Sequence, residues 1–319
     1  MRGEARETAS SASGDGLERD SSVGPYRLLR VLGTGGMGVV YLAERRRPRA
    51  RVALKCLTAL SGTVERTAQR FAAEVYVHGA LRHPNIVRML DHGASPERYL
   101  AMEHVEGCSV LSLWSWLHAR GEALPIAACL RIGERAAAAL AHAHGRRDAS
   151  GRTLGIVHRD VSPSNVLVSR CGGVKLIDFG LARHRDRDWA TTAGMTLGKV
   201  GYMPPEMLLG REVDARSDVY SLGVLLWECL TGTHLTPRGS LLRAAEHIVA
   251  GNHPSPSASR SGVPAAVDAL LARILSTEPD ERPSALEVAR TLRALRSRAG
   301  TTELARSVRR ACRTEVAPC

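Results

Sequence analysis

The stretch HRDVSPSNVLVSRCGGVKLIDFG, residues 158–180, decides the fold, because it places three polar groups around two short apolar segments. Asp160 is a candidate base for the proton of an attacking hydroxyl, and Asn165 follows it closely enough to turn back toward the same site. Asp178 ends the second apolar segment. Amide and carboxylate oxygens suit Mg²⁺, which prefers hard oxygen ligands and keeps part of its shell for phosphates. Any one Asp is more often a turn residue, so the order and spacing of the three groups carry the prediction.

A glycine-rich segment, GTGGMG over residues 33–38, fits the pattern G-x-G-x-x-G. The pattern alone is weak, because dinucleotide-binding folds share it. In those folds a helix follows the glycines, whereas here VVYLAE follows, and its β-branched and aromatic residues predict a strand. We therefore expect a hairpin whose backbone N–H groups lie over phosphates. The alternative is a plain glycine turn.

A lysine that faces phosphates is predicted at the end of the run VALK. Three of the 44 basic residues of the chain are lysine, so each is a candidate for a site that needs a compact ammonium. They are Lys55, Lys175 and Lys199. Lys55 needs an anionic partner, and Glu74 is the candidate because it lies on the apolar face of a helix predicted over residues 64–81, where an unpaired carboxylate is costly. The alternative is a solvated Glu74 at the margin of that face.

The chain has a β-rich front and an α-rich back, which predicts an α+β architecture. We expect one domain over residues 23–296, with a small β-rich lobe over about 26–104 and a larger helical lobe over about 108–296. Residues 1–22 are rich in Ser, Gly, Glu and Arg and predict a disordered leader. The tail, 297–319, has apolar residues at helical spacing, which indicates a short docked helix.

Composition excludes several classes of function. The net charge of +12 suggests a nucleic-acid partner, but the basic residues form no stripe interleaved with aromatic residues, so we expect none. Seven scattered cysteines form no C-x-x-C pair, which argues against a disulfide framework or a zinc site and favours a reducing cytoplasm. The longest apolar run, Val219–Leu230, is shorter than the ~20 residues that span a bilayer. It predicts a buried core helix, and we expect no membrane span.

Together these segments resemble a eukaryotic-type (Hanks) serine/threonine protein kinase, particularly of the bacterial branch. The resemblance covers about residues 26–296 and implies a bilobal kinase fold that binds ATP with Mg²⁺, or Mn²⁺, in its cleft. Its motifs occur in the family's order: the glycine loop at 33–38, VALK at 52–55, Glu74, LRHPNIV at 81–87, YLAMEHVEG at 99–107, HRD at 158–160, Asn165, DFG at 178–180, GYMPPE at 201–206, SDVYSLGVLLWE at 217–228 and ERP at 281–283.

The resemblance implies a role for each matching residue in nucleotide binding. Val40 and Ala53 would lie above the adenine and Leu167 below it. Met102 would be the gatekeeper beside a hinge at Glu103 and Val105. The whole nucleotide-binding set is Leu32, Gly33, Thr34, Gly35, Gly36, Met37, Gly38, Val40, Ala53, Lys55, Met102, Glu103, Val105 and Leu167.

The resemblance also implies catalytic, structural and regulatory roles. Asp160 would orient and deprotonate a protein Ser or Thr hydroxyl, Lys55 held by Glu74 would bind phosphates, and Asn165 and Asp178 would hold the metal. The structural set is His158, Phe179, Gly180, Glu206, Asp218 and Arg282, with Asp218 bracing the HRD backbone and Glu206 paired to Arg282.

Arg159 would bind a phosphorylated residue of the segment 178–206, for which Thr191, Thr192 and Thr196 are the candidates. Protein substrates and self-association for trans-autophosphorylation follow as partners. The alternative is that the threonines simply belong to a polar loop.

Two positions depart from the family together. Ser162 replaces the lysine that reaches the γ-phosphate, and Lys199 replaces a threonine that contacts the catalytic loop. We hypothesise a swap, in which Lys199 supplies the missing cation. The alternative is that Lys199 binds substrate and activity is low.

Lys175 fits a solvent-facing strand position. His78 stands where the family has an aliphatic residue, which indicates either a pH-sensitive contact or a satisfied core histidine.

Two other functions remain open. A pseudokinase would act as a nucleotide-binding scaffold, but the intact Asp160, Lys55 and metal ligands argue against it. A small-molecule phosphotransferase is weakened by the complete segment 201–228, which in the family docks peptides.

Overall fold

The computed structural model describes residues 21–35, 38–57, 64–94, 98–179, 197–295, 297 and 299–314. A six-stranded antiparallel sheet forms the N-terminal lobe, with the strand order β1-β2-β3-β4-β6-β5. Its strands are β1 (Ser22–Val23), β2 (Tyr26–Gly35), β3 (Gly38–Arg45), β4 (Ala50–Leu57), β5 (Met89–Gly93) and β6 (Tyr99–Glu103).

The glycine hairpin joins β2 to β3, with Gly35 opposite Gly38. Gly38 has a φ of +152°, and a side chain there would collide with the carbonyl of Cys56 in β4. Only glycine therefore allows β3 to lie this close to β4 at the hairpin.

One helix, α1 (Val64–Ala80), accompanies the sheet. Its buried face carries Phe71, Glu74, Val77 and His78 at helical spacing, so one carboxylate and one imidazole face the interior. The helix ends at Ala80, one residue before the predicted end.

The C-terminal lobe is helical and is built around α6, in which every residue from Ser217 to Leu230 is buried. A three-stranded sheet of β7 (Gly107–Ser109), β8 (Val166–Ser169) and β9 (Val174–Leu176) lies at the junction with the N-terminal lobe. The helices are α2 (Val110–His118), α3 (Ile126–His144), α4 (Leu197–Val200), α5 (Pro205–Leu208), α6 (Ala215–Thr231), α7 (Leu241–Ala250), α8 (Pro256–Ser259), α9 (Ala265–Ile274), α10 (Ala285–Leu295) and α11 (Ala299–Thr314).

The α+β architecture predicted from the sequence is confirmed, and the buried run at 219–230 lies inside α6 rather than in a membrane-type segment. The leader was expected to extend to residue 22, but Ser22 already belongs to β1 and pairs with Arg27 of β2. Residues 1–20 lie outside the described part. In the tail, α11 packs on the C-terminal lobe. Within the described residues, no helix has both the length and the apolar character that crossing a membrane requires.

Candidate active site

Lys55 is held by two carboxylates at the interface of the lobes. Its Nζ lies 2.7 Å from Glu74 Oε1 and 2.7 Å from Asp178 Oδ1. Lys55 comes from β4, Glu74 from the buried face of α1, and Asp178 from the segment after β9. The three predicted residues therefore meet, although Asp178 is 123 positions from Lys55 in the chain.

The three charged groups of this cluster shift one another's pKa values. Burial alone would lower the pKa of Lys55, but Asp178 and Glu74 outweigh burial and raise it, so the ammonium stays charged. The pKa of Asp178 is lowered, because the Lys55 ammonium outweighs the effect of its burial. Burial raises the pKa of Glu74, with Lys55 opposing. The arrangement places a fixed cation beside an ionised Asp178, as binding of polyphosphate and metal requires.

The catalytic loop brings Asp160 and Asn165 into contact. Asn165 Nδ2 donates to the carbonyl oxygen of Asp160 at 2.8 Å and to Asp160 Oδ2 at 2.9 Å. A second donor to the same oxygen is Lys199, whose Nζ lies 2.6 Å away. Both donors therefore use the same oxygen of the Asp160 carboxylate, Oδ2. Asn165 is positioned by the short 3-10 turn Pro163–Asn165 that leads into β8.

Ser162 is buried beside this site, with 2% of its surface exposed. Its hydroxyl lies 2.9 Å from the hydroxyl of Ser164, and this is the side-chain contact it makes. The Ser162 hydroxyl therefore bonds within the loop, and the cation beside Asp160 belongs to Lys199.

Asp218 organises the backbone of the catalytic loop from the buried N-terminal turn of α6. Its carboxylate accepts from the backbone N–H of His158 and that of Arg159, both at 2.8 Å. Arg159 has a φ of +65°, a strained conformation for a residue with a side chain. Asp218 also lies 2.7 Å from His144 Nε2 in α3, a partner that the sequence analysis missed.

His158 and Phe179 connect the two motifs of the loop. His158 Nε2 lies 2.8 Å from the carbonyl of Ile177, and its ring packs on Phe179 with centroids 4.5 Å apart. Phe179 is fully buried. Asp178 has a φ of +66°, so the chain turns sharply between the carboxylate that faces Lys55 and the ring that faces the core.

The predicted adenine surface is assembled from both lobes. Ala53, Met102, Val105 and Leu167 belong to one apolar cluster, in which Ala53 pairs with Met102 across β4 and β6. Val40 in β3 lies opposite Lys55. The glycine-loop residues Leu32, Gly33, Thr34 and Gly35 are exposed at the end of β2, Gly38 starts β3, and Gly36 and Met37 lie outside the described residues.

Lys175 corrects one expectation, because it does not simply face solvent. Its Nζ lies 2.6 Å from Glu103 Oε1, so β9 is tied to the predicted hinge. Glu103 Oε1 also accepts from the backbone N–H of Arg88 at 2.8 Å. Lys175 stood out in the sequence because lysine is scarce. Its position in the alternating strand pattern, however, predicted a side chain that faces solvent without a partner.

A buried ion pair supports the region beside the catalytic loop. Arg282 donates to both oxygens of Glu206, at 2.7 and 2.8 Å, and its guanidinium lies 4.9 Å from the ring centre of Tyr220. Burial alone would raise the pKa of Glu206, but Arg282 and the hydrogen bond from Ser217 outweigh burial and lower that pKa. This pair anchors α5, which begins within the GYMPPE motif, to the body of the lobe.

Several predicted residues could not be placed. Gly180, Thr191, Thr192 and Thr196 lie outside the described residues, so the contact between Arg159 and a phosphorylated threonine stays a prediction. The sequence analysis also missed the interaction of Tyr202 with Glu228, in which the phenol donates to the buried carboxylate. Both residues stood in recognised motifs, GYMPPE and SDVYSLGVLLWE, but no spacing rule joins them.

Comparison with known proteins agrees with this geometry. The family described as "Protein kinase domain" matches residues 26–292. The serine/threonine-protein kinase Pkn1 of Myxococcus xanthus is 38% identical over 266 residues, which are 81% of this chain and 36% of that protein. The serine/threonine-protein kinase PrkC of Bacillus subtilis is 34% identical over 260 residues, which are 81% of this chain and 38% of that protein. The chain thus spans less than half the length of these relatives.

A solved structure is similar across both lobes. The kinase domain of Mycobacterium tuberculosis PknI is 29% identical and matches with a TM-score of 0.64, covering 88% of this chain and 99% of that domain. The chain belongs to the protein kinase domain family, and the relatives named above are bacterial serine/threonine-protein kinases.

Proposed function

We propose that this chain transfers the γ-phosphoryl group of ATP to Ser or Thr hydroxyls of proteins. The observation that carries the proposal is the hydrogen bonding of Asp160, whose Oδ2 accepts from both Asn165 and Lys199. The proposal assigns the other carboxylate oxygen, Oδ1, to the incoming hydroxyl. The hydroxyl oxygen forms the new bond to the γ-phosphorus as the bond to the β–γ bridging oxygen breaks. Asp160 takes the hydroxyl proton, and Lys55 holds the α- and β-phosphates.

The residues present fit a divalent cation. Asn165 directs its Nδ2 hydrogens to Asp160, which leaves Oδ1 as a neutral oxygen ligand. Asp178 gives one oxygen to Lys55 and retains the other. Together they offer the hard oxygens that Mg²⁺ or Mn²⁺ prefers, and the bound ion would neutralise phosphate charge. Asn165 and Asp178 are therefore the proposed metal ligands.

The proposed role of Lys199 is to replace the missing lysine of the catalytic loop. Its ammonium contacts the same carboxylate that the substrate hydroxyl approaches, so it lies beside the position of the transferring phosphoryl group. A preorganised cation there stabilises the charge that develops during transfer. Ser162, buried and bonded to Ser164, provides no charge of its own.

The proposal includes activation by phosphorylation of the segment 178–206 through trans-autophosphorylation, with Arg159 as the anion partner. A reducing compartment such as the cytoplasm belongs to the proposal, because the seven scattered cysteines of the sequence form no C-x-x-C pair. A pseudokinase that only binds nucleotide is the competing function, and it predicts nucleotide binding without transfer.

A transfer assay with radiolabelled ATP and a generic protein substrate tests the proposal. We expect the wild-type chain to label Ser and Thr, and Asp160→Asn to reduce the rate by at least about 100-fold. Asp280→Asn is the matched control, because it makes the same chemical change at an exposed aspartate outside the site. Nucleotide binding by a wild-type chain that transfers no label would favour the scaffold instead. Equal rates of transfer by Asp160→Asn and the wild type would contradict the proposed role of Asp160.

A further inference from the structure

Helix α11 lies outside the region that matches the kinase family, yet it completes the core of the C-terminal lobe. The family match ends at residue 292, and α11 begins at Ala299. Leu304 and Val308 are fully buried in α11, and they belong to the same apolar cluster as Val168 of β8. The helix is therefore a packed element of the lobe and not an appended solvated tail.

The surface that α11 covers is the back of the nucleotide site. It contacts β7 and β8 as well as α2 and α3. Strand β7 begins four residues after the predicted hinge residue Glu103. Strand β8 follows Asn165 directly and carries Leu167, the predicted floor of the adenine pocket. A movement of α11 would thus reach both the hinge and the adenine floor through one layer of strands.

The first turn of α11 touches its neighbours backbone to backbone. A side chain at Gly172, in the turn between β8 and β9, would collide with the carbonyl of Thr301. A side chain at Gly300 would likewise collide with the carbonyl of Ala127 in α3. Contacts without intervening side chains transmit displacement directly, because no flexible group can absorb it.

Polar contacts fasten the second half of the helix to the same surface. Arg310 makes a bidentate pair with Glu122, with both distances 2.8 Å. Arg309 donates to the carbonyl of Arg170 at 3.0 Å. The backbone N–H of Arg170 in turn donates to the carbonyl of Glu106, just after the hinge, at 2.9 Å. A continuous chain of contacts therefore runs from α11 to the hinge segment.

We propose that α11 is a positioning element for the nucleotide site, and that its docking and nucleotide affinity are coupled. Docked α11 holds β7 and β8, and hence the hinge and Leu167, in the arrangement that accepts adenine. This inference rests on the proposed function, with adenine between Ala53 and Leu167 as the family resemblance implies. Coupling between two sites is reciprocal, so bound nucleotide must also stabilise α11.

Hydrogen exchange on the unmodified chain tests that reciprocity. We expect saturating MgATP to slow the exchange of amides in α11 at least three-fold and to leave α9 (Ala265–Ile274) unchanged. Protection of β8 without any protection of α11 would overturn the inference and leave the proposed function standing. If the wild-type chain bound no nucleotide at all, the proposed function would fail, and the inference with it.

A pair of full-length variants supplies the second test. Leu304→Ala/Val308→Ala should weaken MgATP binding about 5- to 20-fold and raise KM for ATP by a similar factor, while kcat at saturating ATP stays within about two-fold. Thr302→Ala/Arg306→Ala changes the exposed face of α11 and should bind like the wild type. If the core variant does not fold, Arg310→Glu replaces it, with rescue of binding by Glu122→Arg/Arg310→Glu. A folded core variant with wild-type affinity, or a charge swap that leaves the Arg310→Glu defect unrepaired, overturns the inference.

Discussion

Lys199 Nζ lies 2.6 Å from Asp160 Oδ2, although the two residues are 39 positions apart in the chain. The ammonium comes from α4, whereas the family carries its lysine at the position of Ser162 in the loop. A cation therefore lies beside Asp160 on a different element, as the proposed swap requires. Lys199 is partly exposed, so its ion pair with Asp160 contributes little to the free energy of unfolding. We therefore expect replacement of Lys199 to change the rate of transfer more than the stability of the fold.

Replacing Lys199 should slow phosphoryl transfer. Lys199→Thr restores the usual family residue but leaves no cation near the transferring group, so we expect kcat to fall about 100-fold. Ser162→Lys/Lys199→Thr returns both positions to the family pattern and should recover at least about ten-fold of that loss. The measurement is the initial rate of transfer at saturating ATP.

Arg211→Thr controls for the loss of one exposed positive charge in the same lobe and should leave kcat unchanged. The swap is wrong if Lys199→Thr keeps the full rate. It is also wrong if the double variant is no faster than the single one, because Ser162 and Lys199 would then not be alternative positions for one cation.

The buried pair Arg282–Glu206 should matter far more for stability than an exposed pair of the same type. Arg282→Ala leaves Glu206 buried without its cation, so we expect the free energy of unfolding to fall by about 3–5 kcal/mol. Arg273→Ala breaks the exposed pair with Glu287 and should cost less than about 1 kcal/mol. Urea unfolding of both variants measures the difference. Equal losses would contradict the assignment of Arg282 as an anchor of α5.

Autophosphorylation should place phosphate on Thr191, Thr192 or Thr196. Mass spectrometry of the wild-type chain is expected to show the modification, whereas Asp160→Asn expressed alone should lack it. When the two proteins are mixed with ATP, phosphate on the threonines of Asp160→Asn would show transfer between molecules. Phosphate on Asp160→Asn expressed alone would instead point to another kinase in the host.

The sequence predicted the site best where a family motif carried long-range information. The pair of Lys55 and Glu74 was expected, and the two side chains lie 2.7 Å apart. Asp178 was expected at the same site as a metal ligand, but its contact with Lys55, 123 positions away in the chain, was not predicted. Periodicity predicted α1 to within one residue of its end, because burial of one apolar face decides a helix locally.

Contacts outside the motifs were not predictable in the same way. His144 lies in an alanine-rich helix, where nothing in the sequence distinguishes it from an ordinary polar residue. Its imidazole nevertheless contacts the carboxylate of Asp218. Lys175 alternates like a solvent-facing residue, yet it pairs with Glu103. The spacing of Leu304 and Val308 indicated a helix, but a spacing does not say which surface covers it. Such contacts depend on the relative placement of distant elements, which only the folded chain defines.

His78 is a buried imidazole next to the catalytic cluster. It is 2% exposed, it lies edge to face with Phe179 at a centroid distance of 6.1 Å, and its ring nitrogens find no hydrogen-bond partner among the described residues. Burial lowers the pKa of His78 to about 4, with Asp178 opposing and Lys55 and His158 adding to the decrease. The pocket therefore accepts the neutral ring and disfavours the protonated one.

The pH dependence of stability follows from that pKa. In the unfolded chain a histidine takes up a proton below about pH 6.5, whereas folded His78 resists protonation until about pH 4, so acid favours unfolding across this window. His78 alone should remove about 2 kcal/mol from the free energy of unfolding between pH 7.5 and pH 5. His78→Leu should lose about 2 kcal/mol less than the wild type over the same interval, as measured by urea unfolding at both pH values. His92→Leu, at an exposed histidine of β5, should keep the wild-type pH dependence. If His78→Leu and the wild type lost the same free energy, His78 would have to be protonated within the fold, and its contact with Phe179 could not be that of a neutral ring.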